Sequence, residues 1–366
     1  MWKDSNIGKC FDLYSGNTPS RMEKKHFIGD VNWITSGELK EHYIGDTKER
    51  ISEKAAEDNN LRILPVGTFV MAIYGLEAEG VRGTCSITVK TSTISQACMA
   101  FTPKSNVSNE FLYSWYKKHG NKIGIRYAQG TKQQNLSYDI IEKFPIRYPS
   151  IEEQEKLNTF ISLLDKRIAT QNKIIEDLKK LKVAIRDKQL NAIRKHYGLN
   201  YQICDLLDYE QPTKYVVTDS EYSEDRSKTP VLTANKAFIL GYTNETFGVY
   251  DKGKCIILDD FTLDCKYVDF PFKVKSSAIK ILTVKNGYSL RYVYEYLNYL
   301  NLETTEHKRH YISEIEPMMI AYPTDKKKID DFNNMMSSLE SKIEIENKYL
   351  QSLLVQKSYL LSNMFI

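Results

Sequence analysis

The sequence predicts an α+β protein in which two mixed α/β domains are each followed by a long α-helix. Three observations support this prediction: a helical apolar pattern about 45 residues long, a second copy of that pattern near the C-terminus, and short β-like segments between turn signals ahead of each copy. Mixed segments of this kind within one region are typical of domains that pack helices on a sheet.

The first helical pattern runs from Ile151 to about Lys195 without a glycine or a proline. Ser150 is the predicted N-cap, Glu153 completes a capping box, and Gly198 ends the helix. The apolar residues recur at spacings of three, four or seven, which places them on one helix face: Leu157, Ile161, Leu164, Ile168, Ile175, Leu178 and Ile185.

A shift of 175 residues superimposes this pattern on the C-terminal one. Apolar positions alone match between any two amphipathic helices fairly often, so the matched polar positions and the Tyr-Pro pair before each copy favour an internal duplication. The matches include Leu157 with Phe332, Leu164 with Leu339, Ile168 with Ile343, Asn172 with Asn347, Lys173 with Lys348 and Lys182 with Lys357.

The regions before the two helices share an order of elements. In the first, residues 69–75 are a predicted buried strand, and residues 109–118 a predicted helix that ends before Gly120. In the second, residues 255–258 and 290–299 occupy the corresponding places. The predicted boundaries are therefore 1–149 and 198–323 for the two domains, and 150–197 and 324–366 for the helices.

Bulk properties narrow the class of protein. A length of 366 residues suits two domains plus connecting helices, and a net charge of +4 means that any contact with nucleic acid depends on local clusters of Lys and Arg. The six cysteines form no Cys-x-x-Cys pair, which is usual for reduced thiols in the cytosol. The N-terminus shows no basic region followed by an apolar run, so export is not expected, and no apolar stretch of about 18 residues predicts a membrane span. We therefore expect a cytoplasmic protein.

A search for catalytic motifs finds none that is complete. No two glycines lie two positions apart, which excludes the Gly-x-Gly turn of dinucleotide sites, and no Walker A loop is present. His307 and His310 lack further metal ligands at suitable spacing, so we interpret them as a surface pair. We interpret Asp259 and Asp260 as a polar strand end. The sequence thus predicts neither a catalytic residue nor a metal site in this chain.

A DNA-binding interpretation is better supported. Lys and Arg neutralise phosphates, and Arg, Lys, Asn and Gln on loops can also address base edges. Solvated loops are polar in any protein, so the collective pattern carries more weight than any one residue. The candidates in the first domain are Ser20, Arg21, Lys24, Lys25, Ser36, Lys90, Thr91, Thr131, Lys132, Gln133, Gln134 and Asn135. Those in the second domain are Lys214, Asn235, Lys236, Lys273, Lys275, Ser276, Lys308, Arg309, His310 and Tyr311.

Over its full length the sequence resembles the specificity subunits of type I restriction-modification systems. The resemblance rests on the duplicated layout and on motifs that occur in order: Gly16-Asn17-Thr18-Pro19-Ser20, Trp33-Ile34-Thr35-Ser36-Gly37, Gly67-Thr68, Gly130-Thr131-Lys132-Gln133-Gln134-Asn135, Pro149 with Glu153-Gln154, Leu164-Asp165-Lys166-Arg167-Ile168 and Leu360-Leu361-Ser362-Asn363-Met364-Phe365. The second copy departs from the family. Its helix begins Asp325-Lys326-Lys327-Lys328 where the first begins Glu152-Glu153-Gln154-Glu155, and the loop before it lacks the Gly-Thr-x-Gln-Asn pattern.

This resemblance implies that each domain recognises one half of a two-part target in double-stranded DNA. It further implies that the two helices pack as an antiparallel coiled coil, which fixes the gap between the half-sites and docks two modification subunits. Those partners would carry adenine methylation with S-adenosylmethionine. Restriction subunits, docked through them, would use ATP and Mg²⁺. The chain itself would bind no cofactor and would not be catalytic alone.

Two other functions remain open from the residues alone. One is an autonomous enzyme that modifies nucleic acid, and the other is a coiled-coil scaffold that binds proteins. If the chain is an autonomous enzyme, the isolated chain should be catalytically active. We also expect the helices to cover each other, with Leu164 and Ile168 packed near Leu339 and Ile343.

Overall fold

A computed structural model describes residues 2–78, 80–130, 134–234, 237–304 and 308–365. The chain divides into two compact units: unit 1 comprises Met1–Asn172 and Lys348–Ile366, and unit 2 comprises Lys173–Asn347. Both boundaries fall at the same position of the repeat, since they lie 175 residues apart. Each unit therefore contains one domain together with one half of each long helix.

The part of unit 1 that precedes the long helices is the first strand-rich domain. Its elements, in chain order, are β1 Lys3–Asn6, α1 Ile7–Cys10, β2 Phe11–Ser15, β3 Val31–Ile34, β4 Tyr43–Ile44, β5 Arg50–Ile51, α2 Glu53–Asp58, β6 Phe69–Ala72, β7 Cys85–Thr88, β8 Ser92–Ile94, β9 Cys98–Pro103, α3 Asn109–Tyr127, α4 Tyr138–Glu142 and β10 Pro145–Tyr148. The first long helix, α5 Ile151–Tyr197, follows directly.

Unit 2 contains the second strand-rich domain, which lies between the two long helices in the chain. Its elements are β11 Tyr201–Gln202, α6 Ile203–Leu206, β12 Leu207–Glu210, β13 Thr229–Leu232, β14 Ile239–Thr243, β15 Cys255–Asp259, β16 Cys265–Val268, β17 Lys273–Val274, β18 Ile279–Val284, α7 Leu290–Leu300 and β19 Met319–Ile320. The second long helix is α8 Lys326–Met364. The predicted α+β architecture, with a long helix after each mixed domain, is confirmed.

The two strand-rich domains share their sheet topology. The first has a five-stranded sheet in the order β2-β9-β6-β7-β4, and the second has a four-stranded sheet in the order β12-β18-β15-β16. Each also has a three-stranded sheet with one parallel pair, β3 with β8 and β13 with β17, and a short antiparallel ribbon, β1 with β10 and β11 with β19. This correspondence supports the duplication although the domain sequences have little in common.

Helix α3 is longer than the sequence predicts, because it continues through Gly120 and Gly124 to Tyr127. Both glycines lie where another segment approaches closely. A Cβ on Gly120 would lie 3.1 Å from the Cα of Gly83, and a Cβ on Gly124 would lie 2.4 Å from the Cγ of Arg82. Here glycine serves close packing rather than a helix end, and the prediction of a stop before Gly120 is wrong.

The long helices pack against each other within each unit. In unit 1, Lys357 of α8 donates to the carboxylate of Asp165 in α5, and in unit 2, Lys182 of α5 donates to Glu340 of α8 at 2.5 Å. Lys182 lies 17 residues after Asp165 in α5, whereas its partner Glu340 lies 17 residues before Lys357 in α8. The two helices therefore run in opposite directions, and the predicted antiparallel pairing is confirmed.

These two ion pairs are equivalent under the repeat. Asp165 occupies the position of Glu340, and Lys182 occupies the position of Lys357. The acid of each copy pairs with the base of the other copy.

The expected contact of Leu164 with Leu339 is wrong in register. The neighbour of Leu164, Asp165, pairs with Lys357 in unit 1, whereas Leu339 packs on the core of unit 2. The 175-residue shift identifies corresponding positions, and in an antiparallel pair corresponding positions do not generally face each other. Leu164 itself is buried, as predicted.

Each unit has its own apolar core, and the long helices contribute to both. In unit 1, Ile161 of α5 and Phe365, just beyond α8, join Phe111 and the β-sheet residues. In unit 2, Leu190 of α5 and Phe332 of α8 join the residues of α7 and the four-stranded sheet. In the described part of the chain, no helix combines the length and the apolar run that a bilayer crossing needs.

Candidate nucleic-acid interface

An arginine at the surface of the first strand-rich domain contacts a carboxylate and two aromatic rings. Arg21 forms two hydrogen bonds with the carboxylate of Glu49, at 2.8 and 2.9 Å. Its guanidinium also lies 5.0 Å from the ring centre of Phe27 and 5.5 Å from that of Trp33. Because the hydrogen bonds to Glu49 favour the charged guanidinium, they raise the pKa of Arg21 despite some desolvation. The aromatic rings thus fix the direction of a permanent positive charge.

A second cluster in this domain brings two cations to one carboxylate. Asp46 accepts hydrogen bonds from Lys90 at 2.9 Å and from Arg50 at 2.8 Å. The hydrogen bond from Lys90 is the largest of the effects that lower the pKa of Asp46. Arg50 did not figure among the predicted contacts, since the sequence gives no sign that it lies beside Lys90.

The other predicted residues of the first domain vary in exposure. Lys25 pairs with Glu23 at 3.2 Å. Ser36 is half-buried in a capped turn, and Asn135 is half-buried. The remaining exposed ones are Ser20, Lys24 and Thr91, whereas Thr131, Lys132 and Gln133 lie outside the described residues.

Gln134 is fixed by the segment that precedes β7. Its backbone N–H donates to Glu77 at 2.8 Å, its carbonyl oxygen accepts from the N–H of Leu76 at 3.1 Å, and its side-chain oxygen accepts from Arg82 at 2.8 Å. Gln134 therefore anchors one end of the polar loop that the sequence singled out.

In the second strand-rich domain, two lysines and a tyrosine surround Glu210. The carboxylate pairs with Lys214 at 2.7 Å and with Lys252 at 2.8 Å, and accepts the hydroxyl of Tyr215 at 3.0 Å. Partial burial opposes ionisation of Glu210, but the hydrogen bonds from Lys214, Lys252 and Tyr215 outweigh it and lower the pKa to about 2. The cluster thus presents two exposed ammonium groups around a charged carboxylate, which the buried Tyr215 also contacts.

Lys252 is a residue that the sequence interpretation missed. It lies 38 positions from Lys214 and was not distinguished from other surface lysines. Only the fold brings the turn before β15 beside the end of β12. A lysine followed by Gly253 at a predicted turn was the one available signal, and it is weak.

The remaining predicted residues of the second domain fall into two groups. Lys275, Ser276, Lys308 and Arg309 are exposed, and Lys308 pairs with Glu314 at 2.9 Å. Asn235 and Lys236 lie outside the described residues.

Three predicted contacts are buried. The Lys273 side chain is 0% exposed, pairs with Glu245 at 2.6 Å and donates to the carbonyl of Phe247 at 2.8 Å. His310 and Tyr311 are 2% and 1% exposed, and their backbone N–H groups donate to the Asp260 carboxylate. These side chains stabilise unit 2 and do not reach its surface.

The structure also tests the interpretation of Asp259 and Asp260 as a polar strand end and that of His307 and His310 as a surface pair. Asp260 is buried with a structural role, and Asp259 ends β15 and caps the following turn, as a polar strand end should. His310 is buried rather than on the surface, so the expectation of a surface pair was wrong for it, and His307 lies outside the described residues. Within the described residues, no group of three or more His, Cys, Asp or Glu side chains is placed to hold a metal ion.

A histidine connects the first strand-rich domain to the helices of unit 1. His42 stacks between the rings of Tyr43 and Tyr113, with ring centres 4.1 and 3.9 Å away. Its Nε2 lies 2.9 Å from the carboxylate of Glu110, and its Nδ1 lies 3.8 Å from that of Asp165. Since Asp165 also pairs with α8, this histidine joins β4, α3 and both long helices.

The corresponding junction in unit 2 is an ion network. Lys182 pairs with Glu295 at 3.0 Å and with Glu340 at 2.5 Å, and Arg291 contacts both carboxylates. Glu295 is buried, so the two cations compensate a charge that would otherwise be costly. Both junctions therefore use an acid of the long helices, Asp165 or Glu340, to hold the strand-rich domain.

Comparison with known proteins identifies similar chains. The model of the type I restriction modification DNA specificity domain matches residues 1–180. Over 125 residues the chain is 50% identical to the specificity subunit of the Escherichia coli type I restriction enzyme EcoR124I/EcoR124II. The aligned segment covers 32% of this chain and 31% of that one. It is 26% identical over 300 residues to the MjaIX specificity subunit of Methanocaldococcus jannaschii, covering 79% of this chain and 67% of that one. The match therefore spans about a third of the first of these relatives and about two thirds of the second.

Solved structures share the fold. The S subunit of a type I restriction-modification system from M. genitalium superimposes with a TM-score of 0.59 at 16% identity, over 100% of this chain and 96% of that one. A chain from a structure on assembly and conformational transition of a type I R-M system gives 0.61 at 11% identity, over 98% and 96%.

Proposed function

Because the chain belongs to the family of type I restriction-modification specificity subunits, we propose that it recognises a two-part DNA target, one half with each strand-rich domain. The observation that carries the proposal is the repeated architecture with exposed, pre-arranged cations in both domains. Two domains of one topology but different surface residues suit an asymmetric target.

The proposed DNA-contacting surface is narrower than the sequence alone indicated. It includes the predicted side chains that are exposed or half-buried, together with two cations that share carboxylates with them. We leave out Lys273, His310 and Tyr311, whose side chains are buried. Thr131, Lys132, Gln133, Asn235 and Lys236 stay predictions from the sequence, because they lie outside the described residues. The surface comprises Ser20, Arg21, Lys24, Lys25, Ser36, Arg50, Lys90, Thr91, Gln134 and Asn135 in the first domain, and Lys214, Lys252, Lys275, Ser276, Lys308 and Arg309 in the second.

Partners would supply the chemistry. In this proposal the paired helices dock two modification subunits, which use S-adenosylmethionine, and restriction subunits that use ATP and Mg²⁺ join through them. The exposed apolar residues Phe160 and Leu163 near the start of α5 are suited to such docking. The antiparallel helix pair would set the gap between the half-sites, and we propose a cytoplasmic location for the complex.

A domain exchange tests the proposal. Cells that carry this chain and its modification subunits should methylate adenine in one two-part sequence, read from the methylome. Replacing residues 1–149 with the first domain of another family member should change one half of that sequence and leave the other half and the gap unchanged. A methylome that is unaltered by the exchange would contradict the assignment of target recognition to this domain.

A further inference from the structure

We infer that Lys214 and Lys252 contact a DNA phosphate, and that Glu210 is their partner in place of that phosphate until DNA binds. The inference rests on the proposed function, because it assigns to this cluster one contact of the proposed DNA complex. Glu210 would then keep the two lysines in position and also limit how tightly the domain holds DNA of any sequence.

The geometry of the cluster is that of an oxyanion site. Two ammonium groups from separate elements, one after β12 and one before β15, converge on a single carboxylate at 2.7 and 2.8 Å. The buried Tyr215 donates its hydroxyl to the same carboxylate at 3.0 Å and so holds Glu210, and both ammonium groups lie over the Tyr215 ring, 5.2 and 6.0 Å from its centre. A phosphate diester likewise offers two charged oxygens to such donors.

The lysines can leave this carboxylate more easily than the carboxylate can move. The side chains of Lys214 and Lys252 are 61% and 55% exposed, whereas that of Glu210 is 28% exposed, and Glu210 ends β12. Because both lysines are exposed, a DNA phosphate can reach them and compete with Glu210 for them. The flexible lysine stems allow both ammonium groups to swing out to the DNA.

The first strand-rich domain also contains a carboxylate that two cations share, although there the carboxylate is more exposed than the cations. Asp46 holds Lys90 and Arg50, which also come from different elements. The pairing differs from a helical surface pair such as Glu176 with Lys180, where one carboxylate meets one lysine a turn away. A two-cation cluster around one carboxylate therefore occurs in both domains that we propose to contact DNA.

The salt dependence of DNA binding tests the inference. The whole chain is titrated with a duplex of unrelated sequence across a salt series. Glu210→Gln raises the local charge of the cluster from about +1 to about +2, so it should tighten binding roughly three- to tenfold and steepen the slope of log K against log[salt] by about one. Lys252→Ala should weaken binding and make that slope shallower by about one.

Matched variants separate the outcomes. Glu176→Gln breaks an exposed lysine pair on α5 and should change neither affinity nor slope. Unchanged affinity and slope in a Glu210→Gln chain with a native melting temperature would overturn the inference. If Glu210→Gln fails to fold, Lys252→Ala tests the inference instead, because loss of an exposed side chain leaves the core intact. An unchanged slope of log K against log[salt] in Lys252→Ala would then refute the site. A wild-type chain that does not bind duplex DNA would contradict the proposed function instead.

Discussion

His42 is the residue whose charge state most directly links a strand-rich domain to the long helices. Burial opposes its protonation, but the contacts with Asp165 and Glu110 outweigh burial and raise its pKa above the ordinary value of 6.5. The positive imidazolium would also gain from its position between the two tyrosine rings.

The pH dependence of stability follows from this shift. A histidine whose folded pKa is raised stabilises the protein fully below its unfolded pKa and loses that contribution as the pH rises through the folded pKa. His42→Phe, which keeps an aromatic ring in the stack, should therefore destabilise unit 1 more at pH values below 6.5 than in mildly alkaline buffer. Urea denaturation of both proteins at several pH values measures the difference.

His119 provides a control of opposite sign. Burial, together with Lys118 and Lys122, lowers its pKa to about 4. The folded state must keep this imidazole neutral, so wild type should lose stability relative to His119→Phe as the pH falls below the ordinary value. A His42→Phe difference that is independent of pH would contradict the assigned role of His42.

At the scale of elements, the antiparallel helix pair depends on an inner face of α5 that excludes water. Leu164 is 9% exposed, and its neighbour Leu163 is 59% exposed. Leu164→Asp buries an unpaired charge and should cost about 3 kcal/mol of stability. Leu163→Asp makes the same substitution at the neighbouring, exposed leucine and should cost less than about 1 kcal/mol of stability. Equal melting temperatures for these two variants would refute the packing of this face.

Most elements could be predicted from sequence, and the departures have physical causes. The long helices were predictable because a period of 3.6 persists over many turns and caps mark the start. The C-terminal part of α3 was not, because Gly120 has no local signal to distinguish a helix end from a site of close approach by Gly83. The register of the helix pair was not predictable either, since the repeat relates equivalent residues and says nothing of which residues touch.

The candidate surface was predictable in residue type and only partly in position. Lys273 and Lys275 lie two positions apart and look alike in the sequence, yet the first is buried on Glu245 and the second is exposed. Burial of a lysine depends on a carboxylate 28 positions away in the chain. Lys252 could not be predicted for the same reason, because its partner Glu210 is also distant in the sequence.

At the scale of the whole molecule, the core of unit 1 is completed by residues from the other end of the chain. Phe365 is buried and its ring lies 5.4 Å from that of Phe111, while Lys118 donates to the carbonyl oxygens of Ser362 and Phe365. Phe365→Ala should therefore destabilise unit 1 by about 3 kcal/mol. Tyr359→Ala, at a position that is 67% exposed, should have little effect. Thermal denaturation of the two variants checks this, and a native melting temperature for Phe365→Ala would rule out the contribution.

The exchanged ion pairs of the long helices also bear on how such a gene can change over time. A charge reversal at Asp165 would be rescued at Lys357, in the opposite copy, and one at Lys182 would be rescued at Glu340. The paired positions of the two helices are therefore expected to change together. By contrast, the candidate DNA-contacting cations Lys90, Lys214 and Lys252 pair with carboxylates of their own domain, Asp46 and Glu210. The DNA-contacting surface of either domain can therefore change without a matching change in the other. A new surface on one domain then leaves the pairing of the long helices unchanged, provided that the junctions at His42 and Arg291 are kept.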